Sequence, residues 1–503
     1  MFTHRLKNCY MSTIQFSSFS KVAATLSLLI GSASLAPAQN FLGEISTAGY
    51  GQNSGFPYGL NFGPNGDLYI ALAGTSAFVN PQFFNNNVVV RADTSTNLVT
   101  STITVGMFPE EVVFASPNGG AAVGIVTNST DGTVSIFDVA TEQILGTVHL
   151  PGGFFATFPF GIVTNATETI AYISTGDGTN TLRAIDLDPN SATVYQYISG
   201  SDLPLASGNA ARMVRSGDVL LFPTTAYDPF FAGSTANIEK LPLPGCADSP
   251  ASVVVGFDNT FTKYPSGQDV VVLNGIAYVC GYDMGKRIYG FDILTGALVR
   301  SFPGGTFVGA HTGLALSPNG KILVVCDVAS NQISFIDIAR GLPMAVVDTN
   351  LLGFGYSQPN DAVFSPDGSK IYVTVQGSQA VVIVSVPPTP GAFTPPLGFV
   401  VTPTAPAPGG LVTLSTLGAG PSEFVAIMAD DFDDAIDLGS FGILHFTANA
   451  TVVATNASGD FTHQVNAPSG PAFYGKNFLC QAISIDLSTN IIKLSDEIPV
   501  VLQ

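Results

Sequence analysis

Ser365-Pro366-Asp367-Gly368-Ser369-Lys370-Ile371-Tyr372-Val373-Thr374 has two shorter echoes in the same chain: Ser317-Pro318-Asn319-Gly320-Lys321-Ile322-Leu323-Val324-Val325 and Ser116-Pro117-Asn118-Gly119. Asn-Gly and Asp-Gly tolerate the positive φ that a tight hairpin turn needs, so each phrase reads as a turn leading into an apolar strand. A sheet that recurs in this way cannot bury its own faces and must stack on its neighbours. The phrase therefore predicts a closed array of β-blades.

The same turn can be followed along the chain by its small residue, at Gly66, Gly119, Ala166, Gly217, Gly275, Gly320 and Gly368. A second ruler is an apolar strand that ends in aspartate, at Asp93, Asp138, Asp186, Asp292 and Asp337, with Glu239 at the midpoint of the long gap and Ser385 after the last. Both rulers count seven units. Each unit is expected to hold four antiparallel strands. The last lacks its fourth, because Pro387, Pro388 and Pro390 follow Ser385 and cannot donate to a ladder. Phe41-Leu42-Gly43-Glu44-Ile45-Ser46 is an unclaimed strand-like segment, and the prediction is that it closes the ring against the seventh blade.

Composition agrees with this reading. Charged residues are 11% and apolar residues 46% of the chain, with 53 Gly and 33 Pro, as suits many short strands and tight turns with little helix. The net charge of −19 disfavours nucleic acid and anionic lipid. It becomes more negative still on loss of the N-terminus, where Arg5, Lys7 and Lys21 precede the run Val22 to Ala36 and no acid occurs. That run, broken by Ser27, Gly31, Ser32 and Ser34, falls short of the ~20 residues that span a bilayer. Residues 1–38 are therefore expected to be a signal peptide, cleaved after the small residues Ala36-Pro37-Ala38, with no transmembrane segment in the mature chain. The expected location is secreted, periplasmic or cell-surface-associated.

Four cysteines follow the leader: Cys246, Cys280, Cys326 and Cys480. They are too few for a disulfide scaffold at this size. Cys280 and Cys326 lie 12 and 11 residues before Asp292 and Asp337, which reads as opposite faces of adjacent sheets and as two buried thiols, with a bridge the alternative.

Val126-Thr127-Asn128, followed by Gly132-Thr133-Val134-Ser135-Ile136-Phe137-Asp138-Val139-Ala140-Thr141, together with Tyr372-Val373-Thr374, resembles the YVTN-type β-propellers of exported bacterial and archaeal proteins. The resemblance covers about residues 41 to 386 and implies a seven-bladed propeller; the absence of Trp speaks against the WD type. Blade four, around Arg215 to Pro244, departs from the pattern with a longer insertion. Such families host binding modules, surface-layer components and some enzymes, so the resemblance implies little about function.

The expected organisation is a propeller over 39–386, a Pro-rich stiff linker over 387–410 and a β-sandwich-like domain over 411–503. The acidic run Asp430-Asp431, Asp433-Asp434 and Asp437 lacks the order of a calcium loop and reads as a solvated turn.

In a propeller the first strand of every blade lines the central channel, so residues entering that strand meet at one mouth. Here these are Tyr58, Glu110 and Glu111, Phe160, Asn209 with Arg212, Gln268 and Asp269, His311 and Thr312, and Asn360 and Asp361. They form the candidate ligand-binding mouth. In one reading Glu110, Glu111, Asp269 and Asp361 supply hard oxygen ligands for calcium, the only cofactor suggested, with Glu111, Asp269 and Asp361 as the candidate metal ligands. In the other, these side chains bond the unpaired backbone at strand starts. His311 stands where Pro57, Pro109, Pro159 and Pro359 stand in other blades and is the one candidate catalytic base, since histidine titrates near pH 6.5. His149, His445 and His463 lie elsewhere, and no G-x-S-x-G elbow or phosphate-binding glycine loop occurs.

The function expected is a non-enzymatic exported binding or scaffold protein, its propeller face presented to an extracellular or cell-surface protein or polysaccharide. The alternative is a calcium-dependent hydrolase or lactonase working at the channel mouth.

Overall fold

The computed structural model describes residues 41–51, 55–75, 84–152, 157–227, 234–243, 253–256, 266–282, 287–303, 310–339, 341–353 and 355–388, and beyond these only strand segments between 398 and 501. The leader-like segment, Cys246 and the side chains of the acidic run lie outside the described residues. The chain is an all-β, seven-bladed β-propeller. Helix among the described residues is confined to the 3-10 turns Pro117–Gly119 and Thr349–Leu351. No helix among them is long and apolar enough to cross a membrane.

The innermost strands of blades 1 to 7 are Pro57–Phe62, Pro109–Ala115, Pro159–Thr164, the broken pair Asn209–Ala210 and Val214–Ser216, Ser266–Leu273, His311–Leu316 and Pro359–Phe364. Each lies against the next, and Pro359–Phe364 lies against Pro57–Phe62. From each, antiparallel strands run outward in chain order. Blade 7 is different: its outer neighbour beyond Ala380–Ser385 is Phe41–Ser46, paired from Phe41 opposite Val384 to Ser46 opposite Ala380. The apolar faces of adjacent blades form the core, as where Tyr69 of blade 1 meets Phe114 and Phe137 of blade 2 with ring centroids 4.9 and 5.9 Å apart.

The recurrent phrase works through turn chemistry. Ser317 Oγ accepts from the N–H of Ile322, and Ser365 Oγ from that of Lys370, while Gly320 and Gly368 take φ of +67° and +72°. The strand-ending aspartates cap the next turn: Asp138 Oδ1 accepts from Thr141 N–H and Asp292 Oδ1 from Thr295 N–H, each at 2.7–2.8 Å. In these turns the hydrogen bonds hold Asp138, Asp292 and Asp367 below the usual carboxylate range, Asp367 at about 2.

Three expectations shift. In blade 3 the left-handed residue is Glu168, φ 58°, and not Ala166; the register sets Ala171 level with Leu323, which puts Glu168 in the place of Gly320. A hydrogen bond from Ser116 N–H to the Glu168 carboxylate spans blades 2 and 3 and offsets the cost of a side chain at positive φ. In blade 4, Val219 pairs with Pro242, as Val123 pairs with Asp138, so Glu239 falls three residues short of the aspartate position. It is buried and accepts instead from the N–H groups of Ala206 and Ser207. Finally, Cys280 and Cys326 are in step, paired with Asp269 and Gly313 at equivalent points of adjacent blades. Counting back from the aspartates crossed a turn of variable length. Both thiols are free and buried, and burial pushes them up.

Beyond the propeller, Leu411–Leu417 pairs with Gly398–Thr402 and Phe461–Asn466, so a strand falls within the Pro-rich stretch. Phe424–Asp430, Thr451–Ala454, Asn477–Asp486, Ile491–Leu494 and Ile498–Val501 form a second antiparallel sheet.

Candidate functional site

Six of the seven innermost strands carry a β-bulge at their entry, after Pro57, Pro109, Pro159, Gly267, His311 and Pro359; in blade 4 the strand is broken between Ala210 and Val214. A bulge takes backbone groups out of the ladder, and a buried N–H must then find another acceptor. At three joints a carboxylate from the preceding blade supplies it. Glu111 Oε2 accepts from Ile162 N–H at 2.7 Å, Asp269 Oδ2 from Leu314 N–H at 2.8 Å, and Asp361 Oδ2 from Leu60 N–H at 3.2 Å.

The equivalent position in blades 1, 3 and 6 is glycine, and there the backbone of the next blade comes close. A Cβ on Gly59 would sit 2.2 Å from Glu110 O, one on Gly161 2.5 Å from Ala211 O, and one on Gly313 2.5 Å from Asn360 O. At the joint from blade 4 to blade 5, Arg212 takes the position. Its N–H donates to Gln268 O, and its Nη1 lies 2.6 Å from Asp361 Oδ1 and 3.5 Å from Asp269 Oδ2.

Hydroxyl groups on the second strands fasten the same level. Thr127 Oγ1 donates to Phe160 O, Ser174 Oγ to Ala211 O and Thr374 Oγ1 to Tyr58 O, each in the next blade. These are the places of the threonine in the Val-Thr and Tyr-Val-Thr phrases, and Cys280 and Cys326 occupy the corresponding ones.

The centre is thus a buried charge cluster. Burial raises Glu111 to about 8 and Asp269 to about 6 against the opposing pull of Arg212, and neighbouring carboxylates hold Arg212 well above its usual range despite its own burial. Above this level sit Tyr58, Phe108, Phe160 and Glu110. Tyr58 lies 6.2 Å from each of the two phenylalanine rings, and burial raises Glu110 to about 8 against a hydrogen bond from Ser129. Tyr282 is pushed up to about 12 by burial, with Cys280 next, and Arg212 opposes.

Of the sequence-named residues, Arg212, Asp269 and Asp361 meet directly, Glu111 is coupled to them through its charge, and Tyr58, Glu110 and Phe160 lie beside them. Asn360 bonds Tyr58 O, and Gln268 bonds Ser266. Asn209 is half-buried at the entry of blade 4, its Oδ1 without a partner. His311 stands apart from the cluster. It is 1% exposed, neither ring nitrogen is hydrogen-bonded, and Nε2 is 3.9 Å from Asp327 Oδ2. Burial lowers its pKa, with Asp327 opposing. Sequence reading did not single out the alternating glycines Gly59, Gly161 and Gly313, although their spacing from Pro57, Pro159 and His311 is visible once the blades are aligned. Among the described residues no group of three or more His, Cys, Asp or Glu is placed to hold a metal ion.

The raised carboxyls give the fold a distinctive pH dependence. Glu110 and Glu111 ordinarily ionise near 4.5 and here near 8, so their contribution is complete below about 4.5 and is lost as pH rises through about 8. A Glu110→Gln, Glu111→Gln variant, which mimics the protonated pair, is expected to melt close to the parent at pH 5 and above it at pH 9. Thermal denaturation at the two pH values checks this.

No protein-family model matches the sequence, and no curated protein matches it. Among solved structures, Kuenenia stuttgartiensis hydrazine synthase is similar at 15% identity and TM-score 0.52, over 68% of this chain and 99% of that one. The Myceliophteria thermophila Cps50 (Swd1) β-propeller domain is similar at 12% identity and TM-score 0.47, over 69% and 99%. A chain of the mitotic checkpoint complex is similar at 12% identity and TM-score 0.48, over 77% and 98%. At such identity the likeness speaks of fold alone. The likeness to YVTN-type proteins stays one of repeat phrase and fold.

Proposed function

We propose that the chain is an exported, non-enzymatic binding or scaffold protein that presents a propeller face to a protein or polysaccharide at the cell surface or outside the cell. The observation that carries this reading is the way the central carboxylates are used. Glu111, Asp269 and Asp361 each accept a backbone N–H from the next blade, and the two aspartates hold Arg212. Groups so committed join blades, which leaves the loop-bearing face to make contacts. The pairing of Phe41–Ser46 with Ala380–Ser385 supports closure of the ring by the N-terminal strand. The antiparallel sheets beyond residue 397 support a C-terminal β-sandwich suited to attachment. The YVTN-like phrase and the leader-like N-terminus support export.

The test uses the mature protein as bait against a secretome and against cell-wall polysaccharides, alongside lactone and ester hydrolysis assays and thermal shift with calcium. Selective retention of one partner, with no turnover and no calcium shift, is the expected result. Hydrolysis, or a calcium shift that disappears in Glu111→Gln and Asp361→Asn, would overturn the reading in favour of the metal-dependent hydrolase.

A further inference from the structure

We propose that the channel mouth binds a lysine side chain presented by a protein partner, with its ammonium group between Glu110 and the aromatic rings beside it. The inference rests on the reading of the propeller as a binding module and names what that module recognises. Tyr58 stands between two phenylalanines, with ring centroids 6.2 Å from both Phe108 and Phe160 and planes at 58° and 87°. Rings set at such angles offer faces to a cation from more than one side. Tyr58 and Phe160 are half-buried and so the more exposed members of the group, while Phe108 and Glu110 are buried.

The second observation is independent of the rings. Glu110 is 7% exposed, yet its Oε2 has no hydrogen-bond partner. A buried carboxyl oxygen without a donor is costly and marks a place where a ligand supplies one. The nearby resident cation does not fill that role, because Arg212 Nη1 is turned to Asp361 and Asp269.

The chemistry favours lysine over arginine. One free oxygen suits a single ammonium N–H, whereas a guanidinium fork seeks two parallel bonds. The net charge of −19 draws basic partners toward the face.

Ligand-observed NMR on the full chain at pH 9, where Glu110 is ionised and a lysine ammonium still keeps its proton, with Nα-acetyl-lysine methylamide against its norleucine counterpart, tests the proposal. The lysine probe is expected to bind about tenfold more tightly or better, and to lose that advantage in Glu110→Gln and in Tyr58→Leu. Glu110→Gln swaps one atom, and an unchanged melting temperature at pH 5 shows that it folds. Equal binding of the two probes, no binding of either, an equally strong arginine probe, or a lysine preference that survives Glu110→Gln would each overturn it. If the bait experiment still retains a protein partner while the lysine probe is ignored, the lysine assignment falls and the binding-module reading stands.

Discussion

Replacing Arg212 with methionine is expected to destabilise the folded chain by about 3–5 kcal/mol at neutral pH, the usual cost of removing one partner from a buried ion pair. Arg212 is the cation that the structure sets against Asp269 and Asp361, at 3.5 and 2.6 Å, and all three are at least nine-tenths buried. Both aspartates also accept a strand N–H, so they cannot turn away to water without opening a joint between blades. Two controls separate charge from packing. Adding Asp269→Asn and Asp361→Asn to Arg212→Met should recover much of the loss, because neutral amides need no counter-ion and still accept the N–H bonds. Lowering the pH should also shrink the difference, since Asp269 already titrates near 6 and loses the arginine that holds it down. Chemical denaturation of the parent, Arg212→Met and the triple variant at pH 5 and pH 7 measures both effects. A loss of the same size at both pH values would mean that the guanidinium acts mainly by filling space.

Gly313→Ala is expected to cost about 3 kcal/mol or more, at or above the top of the usual range for overpacking. The new Cβ would lie 2.5 Å from Asn360 O and 3.0 Å from Asp361 Cα, and backbone cannot swing aside as a side chain does. Blades 6 and 7 must then part, which draws Asp361 away from Arg212 and from Leu60 N–H. Gly161→Ala should behave alike, against Ala211 O at 2.5 Å and Arg212 Cα at 3.0 Å. Gly66→Ala is the contrast. Gly66 has φ of 83° but nothing within 4 Å of its would-be Cβ, so it should lose only the 1–2 kcal/mol or so of left-handed strain. Midpoints from denaturant titration distinguish the two kinds of glycine. Equal losses at Gly313 and Gly66 would show that the joint yields.

Seven blades were legible because turn chemistry is local: Ser-Pro-Asn-Gly and strand-ending aspartates act on residues two to five positions away. The same locality explains where reading along the chain went astray. Glu168 can replace a glycine because a carboxylate bond to blade 2 supports it, and Pro242 rather than Glu239 meets Val219 because blade 4 has longer strands. Counting Cys280 and Cys326 from their aspartates failed for a related reason, since loop length is free while strand pairing is not. The polar entry residues could be named from the repeat, but not their partners. Glu111 reaches Ile162 across a blade boundary, and Asp361 reaches Leu60 across 301 positions of sequence. The position of His311 in place of a proline drew attention by its oddness. Among the described residues, its ionic neighbour is the Asp327 carboxylate at 3.9 Å.

The joints between blades follow an order whose arithmetic has a consequence. Glycine approach and carboxylate capping take turns around the ring, at Gly59, Glu111, Gly161, then Asp269, Gly313 and Asp361. Two kinds of joint can alternate without fault only around an even number. Seven is odd, so parity leaves one seam that can be neither kind, and Arg212 occupies that seam. Its charge then answers Asp269 at the next joint and Asp361 across the ring. The same alternation built with six or eight blades would close without such a seam. The place of the hub arginine is in this sense a record of the blade number.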